Sequence, residues 1–419
     1  MKKYKIAVIG LGYVGLPLAL SFSGKKNSLV FGFDIDKNKT TKLQKGHSYI
    51  KHISNSKIRK RINKNFFVYN SFEKIKEVDF IALCLPTPIS ANKTPDLSYI
   101  KNTLSTIFKY LKKNQTLSLE SSTYPGTTKE IIVNILKKKF NVGNNFFVVY
   151  SPERENPGSH FKLEKIPKII SGYSNNCLKK ANKYYGLIFD KLVSVKSLET
   201  AEMTKLLENI YRSVNIGLIN EMKIISKTFK VNIYDIIRAA DTKPFGFQAF
   251  YPGPGVGGHC IPVDPFYLTW KAKQLGLNTK FIKLAGEIND EMPKWIVKNI
   301  SKIITKKKKK LLIIGIAYKK NVDDLRESPI LNIINKLEKQ KNHVEYYDPF
   351  VPKLSKTRKF NFDKRSINLS FNKIKKFDAV IIGTDHDKIN YNKIKKFSKL
   401  IIDLRGRYAS QNERKIICL

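Results

Sequence analysis

The chain has 419 residues, 42% of them hydrophobic and 27% charged. That is enough for two or three domains with their own cores, and it excludes a disulfide-stapled miniature or a disordered tail. Lys and Arg number 78 against 34 Asp and Glu, a formal net charge of +44, yet only 11 of the cations are Arg. Lysine spread over the whole length reads as a solvated surface with a general attraction for anions. It argues against a specific nucleic-acid partner, because base and phosphate readers lean on Arg forks.

Residues 4–9, YKIAVI, read as a buried parallel strand. Gly10, Gly12 and Gly15 follow at the GxGxxG spacing, with Tyr13 and Val14 inside the same turn and an apolar helix over 16–22. A second strand over 29–33 ends in Asp34, nineteen residues past Gly15. The three glycines serve a tight turn, room for a pyrophosphate and close helix–strand packing, and the acid accepts hydrogen bonds from ribose hydroxyls. A carboxylate there favours NAD over NADP, whose 2′-phosphate it would repel. Strands over 78–85, 116–120 and 146–150 end in Pro86-Thr87-Pro88, Ser121-Ser122-Thr123 and Ser151-Pro152-Glu153. Strand ends of an open α/β sheet hold ligands, which places Pro86, Thr87, Ser122 and Thr123 at the nicotinamide end of the cofactor. A further strand over 168–171 closes a first domain, 1–195.

Residues 198–229 contain no proline and one glycine, with apolar residues such as Met203, Leu206, Leu207, Ile210, Val214, Leu218 and Met222 at helical spacing. This predicts a long helix, the spine of a second segment, 196–300. Lys205 and Asn209 lie four apart and share a face, although a solvated lysine is the simplest reading of that spacing. Shorter helices are expected over 233–240 and 265–275. Between them, PFGFQAFYPGPGVGGHCIPVD holds five glycines and four prolines, a shaped loop that ends at Cys260, beside His259 and close to Asp264. A cysteine in that place is either a small buried hydrophobe or an exposed nucleophile.

The pattern restarts with strands over 311–315, 344–347, 379–383 and 400–402 and a helix over 330–337, without a GxGxxG. This is a third segment, 301–419. Its 317–326 loop, AYKKNVDDLR, carries three cations at a strand end, which suits anion binding. Residues 351–371 read as irregular surface. The expected fold is α/β, with two Rossmann-like parallel-sheet domains joined by a long central helix. Cys84, Cys177, Cys260 and Cys418 form no close pair and no metal spacing, so the protein is expected to be reduced, cytoplasmic and free of metal. No apolar run reaches the roughly 18 residues of a membrane span, and no cleavage site follows the basic start, so neither membrane insertion nor a signal peptide is expected.

The runs IAVIGLGYVGLPLA, PTPI, STYPGTT, SPERENPG, AEMTKLLENIYRSVNIGLINE, GPGVGGHCIPVDPFYL, AYKKNVDDLRESP and DLRG together resemble, in order and over nearly the whole chain, the nucleotide-sugar 6-dehydrogenases. That family comprises the UDP-glucose, UDP-N-acetylglucosamine and UDP-N-acetylmannosamine dehydrogenases. The resemblance implies a four-electron oxidation of the sugar C6 hydroxyl to a carboxylate with two NAD per turnover. It places the nucleophile at Cys260, which would form a thiohemiacetal and then a thioester. It puts an oxyanion clamp on Lys205 and Asn209, acid/base work in hydrolysis on Glu153, and water-holding or proton removal on Thr123 and Asp264. Lys319 and the loop carrying Phe250, Tyr251, Gly253, Gly255 and Gly257 would bind the UDP-sugar, together with Glu153, Lys205, Asn209 and Cys260. Arg326 would reach the cofactor or the nucleotide phosphates. UDP-glucose members commonly carry a second glutamate four residues past the first, where this chain has Pro157. SPERENPG, with IPKIISG after it, is similar to the branch acting on UDP-N-acetylhexosamines, so UDP-N-acetylglucosamine is the expected substrate. UDP-glucose, UDP-N-acetylmannosamine and UDP-N-acetylgalactosamine are the alternatives. The resemblance also implies a homodimer through the central helices and a product destined for capsule, O-antigen or related bacterial surface polysaccharide. A hydroxy-acid dehydrogenase is the nearest rival and needs no cysteine; an RNA-binding module would bind nucleic acid in a salt-sensitive way and form no NADH.

Overall fold

A computed structural model describes residues 3–51, 53–90, 92–155, 161–258, 260–411 and 413–419. His259 and Pro157 lie outside them. The chain forms two compact units, one of residues 1–208 with 266–278 and the other of residues 209–265 with 279–419.

The first unit is built on eight strands: β1 (Tyr4–Ile9), β2 (Ser28–Phe33), β3 (Phe66–Tyr69), β4 (Phe80–Leu83), β5 (Thr116–Leu119), β6 (Phe147–Tyr150), β7 (Lys168–Gly172) and β8 (Leu192–Ser194). They lie in the order β3-β2-β1-β4-β5-β6-β7-β8. The strands read in the sequence fall where expected, and β3 and β8, too short to show alternation, add the two edges. Central strands such as FIAL and FVVY are buried throughout, because helices cover both faces and leave no position for a polar side chain. One pairing departs from the parallel pattern: β7 runs antiparallel to β6, with Val149 opposite Gly172 and Tyr150 opposite Ser171. This register brings the start of β7 beside the residues that directly follow β6.

The second unit holds β9 (Lys310–Ile314), β10 (His343–Tyr347), β11 (Lys353–Leu354), β12 (Lys364–Arg365), β13 (Ala379–Ile382), β14 (Ile401–Asp403) and β15 (Ile416–Cys418). Five of them form a sheet ordered β10-β9-β13-β14-β15, every neighbour parallel. It reproduces the first sheet's turn. Gly315 has φ +77, and a Cβ there would stand 2.1 Å from the Thr384 carbonyl oxygen, just as one on Gly10 (φ +89) would stand 2.4 Å from that of Cys84. Asp348 at the end of β10 accepts the N–H groups of Ile316 and Ala317, as Asp34 accepts that of Leu11. The two differ in what else they bind. Asp348 is fully buried against His386, Nε2 to Oδ2 3.1 Å, so its carboxylate is spent inside the protein.

One expectation needs correcting. Residues 351–371 are not simply irregular surface: β11 and β12 pair there as an antiparallel ribbon, and Val351, Leu354 and Phe362 are buried in the core. Two-residue strands leave no readable period. The helix Lys280–Ile303, in a stretch to which the sequence assigned no element, contains Pro293, a residue that costs a helix one hydrogen bond. Burial of Ala285, Met292, Ile296, Val297 and Ile300 along one side outweighs that cost.

The long helix Leu198–Thr228 runs unbroken for 31 residues. Its sides follow the apolar periodicity only in part, since Leu206 and Ile210 are buried as expected but other apolar residues are not. Met203, Leu207 and Leu218 are exposed, whereas Glu202, Lys205, Asn209, Ser213, Asn220 and Lys223 are buried. The last six recur at three, four and seven residues, a polar stripe turned inward.

Candidate active site

In the first unit the three glycines meet three different neighbours. A Cβ on Gly10 would clash with the Cys84 backbone, and one on Gly15 would stand 1.8 Å from the Gly10 carbonyl oxygen. Gly12 has nothing within 4 Å of where its Cβ would be. Two glycines therefore serve the protein's own packing, and Gly12 keeps open the side at which a dinucleotide's pyrophosphate can approach the start of the helix Gly15–Ser23. Tyr13 and Val14 are half-buried in this turn. Asp34 accepts from the Leu11 N–H at 3.0 Å and from the Asp36 N–H at 2.9 Å. A carboxylate offers about four acceptor positions, so capacity remains for a ribose diol. Lys39 Nζ lies 3.6 Å from the same carboxylate and partly offsets the repulsion of a 2′-phosphate that the sequence suggested.

The loops after β4 and β5 are laced together. Ser121 Oγ accepts from the Leu85 N–H and donates to the Leu85 carbonyl, and Thr87 Oγ1 donates to the Ser122 carbonyl at 2.8 Å. The two loops are thus held side by side, with Pro86 exposed, Ser122 half-buried and Thr87 and Thr123 buried. Thr123 is fully buried, and its hydroxyl has no hydrogen-bond partner among the described residues. A buried hydroxyl is costly in that state, and a bound water or ligand group would relieve it. Glu202, on the long helix, holds the following turn by accepting from the N–H groups of Gly126 and Thr128 and from the Thr128 hydroxyl. Burial pushes its carboxyl up to about 7 against the pull of those donors. Sequence reasoning passed over Glu202; the available signal was an acid three residues before Lys205, on the same helix side.

Glu153 follows β6 and is buried. Its Oε1 accepts from the Arg154 and Glu155 N–H groups, both at 2.7 Å, and its Oε2 from Lys168 Nζ at 3.1 Å. Burial alone would raise its proton affinity, but the Lys168 ammonium and the two backbone donors win and hold it below the usual carboxylate range. Glu155 shows the opposite outcome: burial and the charge of Glu153 push it up to about 7. Lys168 and its second partner, Glu120, were not singled out in the sequence. Lys205 is buried on the long helix, contrary to the solvated reading of its spacing.

In the second unit, Asn209 Nδ2 donates to Asp264 Oδ2 at 2.5 Å, both residues buried. The Cys260 carbonyl accepts from the N–H groups of Val263 and Asp264, so the cysteine sits on the turn that starts the helix Asp264–Gln274. Cys260 is half-buried and takes no part in a disulfide. The glycine loop before it is pressed against its neighbours. The Gly253 N–H donates to Asn220, whose amide donates to Asn289, which in turn donates to the Ser213 carbonyl. Gly255 (φ +120) would place a Cβ 2.9 Å from the Asn289 carbonyl oxygen. That carbonyl is the one that Pro293, lacking an N–H, cannot engage within the helix, so the proline and the glycine serve one close approach.

A Cβ on Gly257 would stand 2.6 Å from Tyr318 Cβ, and the Gly258 N–H donates to the Arg326 carbonyl. The 317–326 loop is thereby brought to the cysteine loop. Burial and the nearby Arg212 lower the proton affinity of Lys319. Arg326 is held as a fork by Asp324, so part of its charge is already spent. Phe250 packs edge-on against Tyr211, and Tyr251 is 53% exposed although it stacks on Tyr234.

Comparison with known proteins adds to this geometry. The descriptions of the UDP-glucose/GDP-mannose dehydrogenase family match as its NAD binding domain over residues 4–188, its central domain over 199–291 and its UDP binding domain over 312–410. The chain is similar to UDP-N-acetyl-D-glucosamine 6-dehydrogenase of Pseudomonas aeruginosa, 35% identical over 84% of each chain. It is 34% identical to UDP-N-acetyl-D-mannosamine dehydrogenase of Methanocaldococcus jannaschii, over 92% of this chain and 86% of that one. The solved structure of a UDP-D-ManNAc dehydrogenase from Pyrococcus horikoshii superposes with a TM-score of 0.85 at 31% identity, covering 96% of this chain and 95% of that one.

Proposed function

Because the chain belongs to the UDP-glucose/GDP-mannose dehydrogenase family, we propose that it oxidises the C6 hydroxyl of UDP-N-acetylglucosamine to the carboxylate. It is an NAD-dependent UDP-sugar dehydrogenase, and UDP-N-acetylhexosamines are its substrate class. The observation that carries the mechanism is the turn bearing Cys260, with Asp264 on it bonded to Asn209. When bound, NAD⁺ supplies the hydride acceptor in each of the two oxidations. Asp264 takes the proton of the C6 hydroxyl, and Lys205 and Asn209 steady the sugar oxygen as the first hydride departs. An aldehyde has no hydride to give toward acid level until something adds to it. The Cys260 sulfur adds to the carbonyl carbon, and loss of the second hydride leaves a thioester on Cys260. Thr123 holds the water and Glu153 takes its proton as it cleaves that thioester.

The choice of the N-acetylglucosamine rests on SPERENPG and IPKIISG, which meet through the bond from Lys168 to Glu153; Pro157 itself lies outside the described residues. A site that uses an N-acetyl group loses transition-state binding when the group is absent. In an NADH-coupled comparison of four UDP-sugars, UDP-N-acetylglucosamine should give the highest kcat/KM, about tenfold or more above UDP-glucose. A preference for UDP-N-acetylmannosamine or UDP-N-acetylgalactosamine moves the assignment within the class, and a preference for UDP-glucose ends it.

A homodimer through the long helix completes the proposal. Met203, Leu207, Tyr211, Leu218 and Ile225 are exposed, and at 100° per residue they fall within one stripe of about 80°. Leu207→Lys combined with Leu218→Lys should halve the mass in light scattering; a monomeric parent protein would remove the basis of the proposal.

A further inference from the structure

Glu153 belongs to a buried cluster of charges drawn from three strand ends. Lys168, first residue of β7, is 1% exposed. Its ammonium reaches Glu120 Oε2 at 2.8 Å, Glu153 Oε2 at 3.1 Å and the Pro152 carbonyl at 3.1 Å. Those three acceptors use all three N–H donors of a lysine. Glu120, directly after β5, is equally buried, and its Oε1 accepts from the hydroxyls of Ser118 and Tyr185. Two carboxylates share one ammonium, which leaves one negative charge uncompensated in the interior. Such an arrangement is not a route to stability, since apolar residues of similar volume would serve as well or better. On Glu153 itself, two backbone donors occupy Oε1 and Lys168 occupies one side of Oε2. One lone-pair direction, on Oε2, is left for water.

We infer that Glu120 and Lys168 are positioning residues for the hydrolytic step: Lys168 holds the Glu153 carboxylate ionised in one orientation, and Glu120 offsets that cation so that Glu153 can still take a proton. This rests on the role given to Glu153 above. In the step, the water oxygen bonds to the thioester carbon and one water proton passes to Glu153. The C–S bond breaks with its electron pair going to sulfur, and the new carboxylic acid releases its proton to solvent. No electrons leave the pair of reactants. Lysine alone would make Glu153 too weak a base to accept the proton; the second carboxylate restores part of that basicity.

Burial raises the proton affinity of Glu120 in spite of Lys168, and the two carboxylates together hold Lys168 protonated against burial. The other groups facing the cluster are the Tyr185 hydroxyl and the Cys84 thiol, both pushed far up by burial, and Glu155 and Arg154 on the loop of Glu153. Arg154 is itself paired with Glu208 at 2.6 Å.

The test is the decay of the Cys260 thioester as a function of pH, followed by rapid quench and intact mass so that Cys260 and the hydride steps drop out. Glu120→Gln, isosteric and one buried charge fewer, removes the anion that favours protonation of Glu153. Its acid limb should move down by about half a pH unit or more, with plateau decay about two- to tenfold slower and thioester formation unchanged. Lys168→Met removes the cation, and its limb should move up. Opposite signs from two neighbouring substitutions are not the mark of general structural damage. A Glu120→Gln limb that stays in place or moves up overturns the inference, and that variant decides alone if Lys168→Met does not fold. Absence of any thioester on Cys260 in the parent and in Glu153→Gln overturns the covalent reading first, and this inference with it.

Discussion

Cys260→Ser should lose net acid formation by on the order of 10³-fold or more while still binding NAD⁺ and the UDP-sugar. A serine hydroxyl is far less acidic than a thiol and adds far less readily to a carbonyl carbon. The N–H groups of Val263 and Asp264 bond the Cys260 carbonyl rather than its side chain, and Asp264 Oδ2 is engaged by Asn209. The first oxidation does not need the sulfur, so the variant should retain some NADH production, at most one NADH per sugar. Supplied with the C6 aldehyde, it should remain poor at making acid, because the second hydride requires a tetrahedral adduct. The measurement is NADH formed per sugar consumed, with titrations of both ligands to show that the pockets survive. Full-rate acid production by this variant would leave direct oxidation of a hydrated aldehyde as the replacement. A hydroxy-acid dehydrogenase would be indifferent to the substitution.

Glu153→Gln should form the thioester and release it about 10²- to 10⁴-fold more slowly, giving a burst of up to two NADH per active site and an adduct on Cys260 visible by intact mass. The geometry makes this substitution harsher than loss of a charge. Backbone N–H groups point at Oε1 and the Lys168 ammonium points at Oε2, so a glutamine amide must turn its NH₂ toward a donor whichever way it is placed. In the parent, Lys168 and the backbone donors hold Glu153 below the ordinary carboxylate range. The base form is therefore retained as pH falls from neutral through mildly acidic values, and hydrolysis should decline only below that range. Decay that falls near pH 6 would assign the base to another group. An adduct on a residue other than Cys260 would end the covalent assignment.

Several of these residues stand out along the chain and several do not. The glycine turn, the acid after β2 and the cysteine after its glycine loop are legible because each is a local pattern. Gly10 needs its positive φ, Gly15 needs contact with the Gly10 carbonyl, and the Pro- and Gly-rich run cannot be helical. The long helix is equally legible, but its orientation is not. Its apolar residues at 203, 207 and 218 look like a core seam and are exposed, whereas Lys205, which looks solvated, is buried. Periodicity tells which residues share a side of a helix and nothing about which side meets the protein when polar groups are what the interior uses. The same holds for Pro293, whose cost as a breaker is visible in the sequence while the burial that outweighs it is not.

Taken by itself, the order of residues determined the fold class, the dinucleotide turn and the family, because strands, turns and glycine spacings are set by neighbours a few positions apart. Only the tertiary structure decided that Glu120, Glu153 and Lys168 form one cluster, with Lys168 48 residues from Glu120 and 15 from Glu153. It likewise decided that Gly255 meets the carbonyl left without a helical donor by Pro293. Such pairings depend on the antiparallel register of β6 and β7 and on which helix a loop is pressed against. Charge and size limit those choices, but burial and packing of the whole chain select among them.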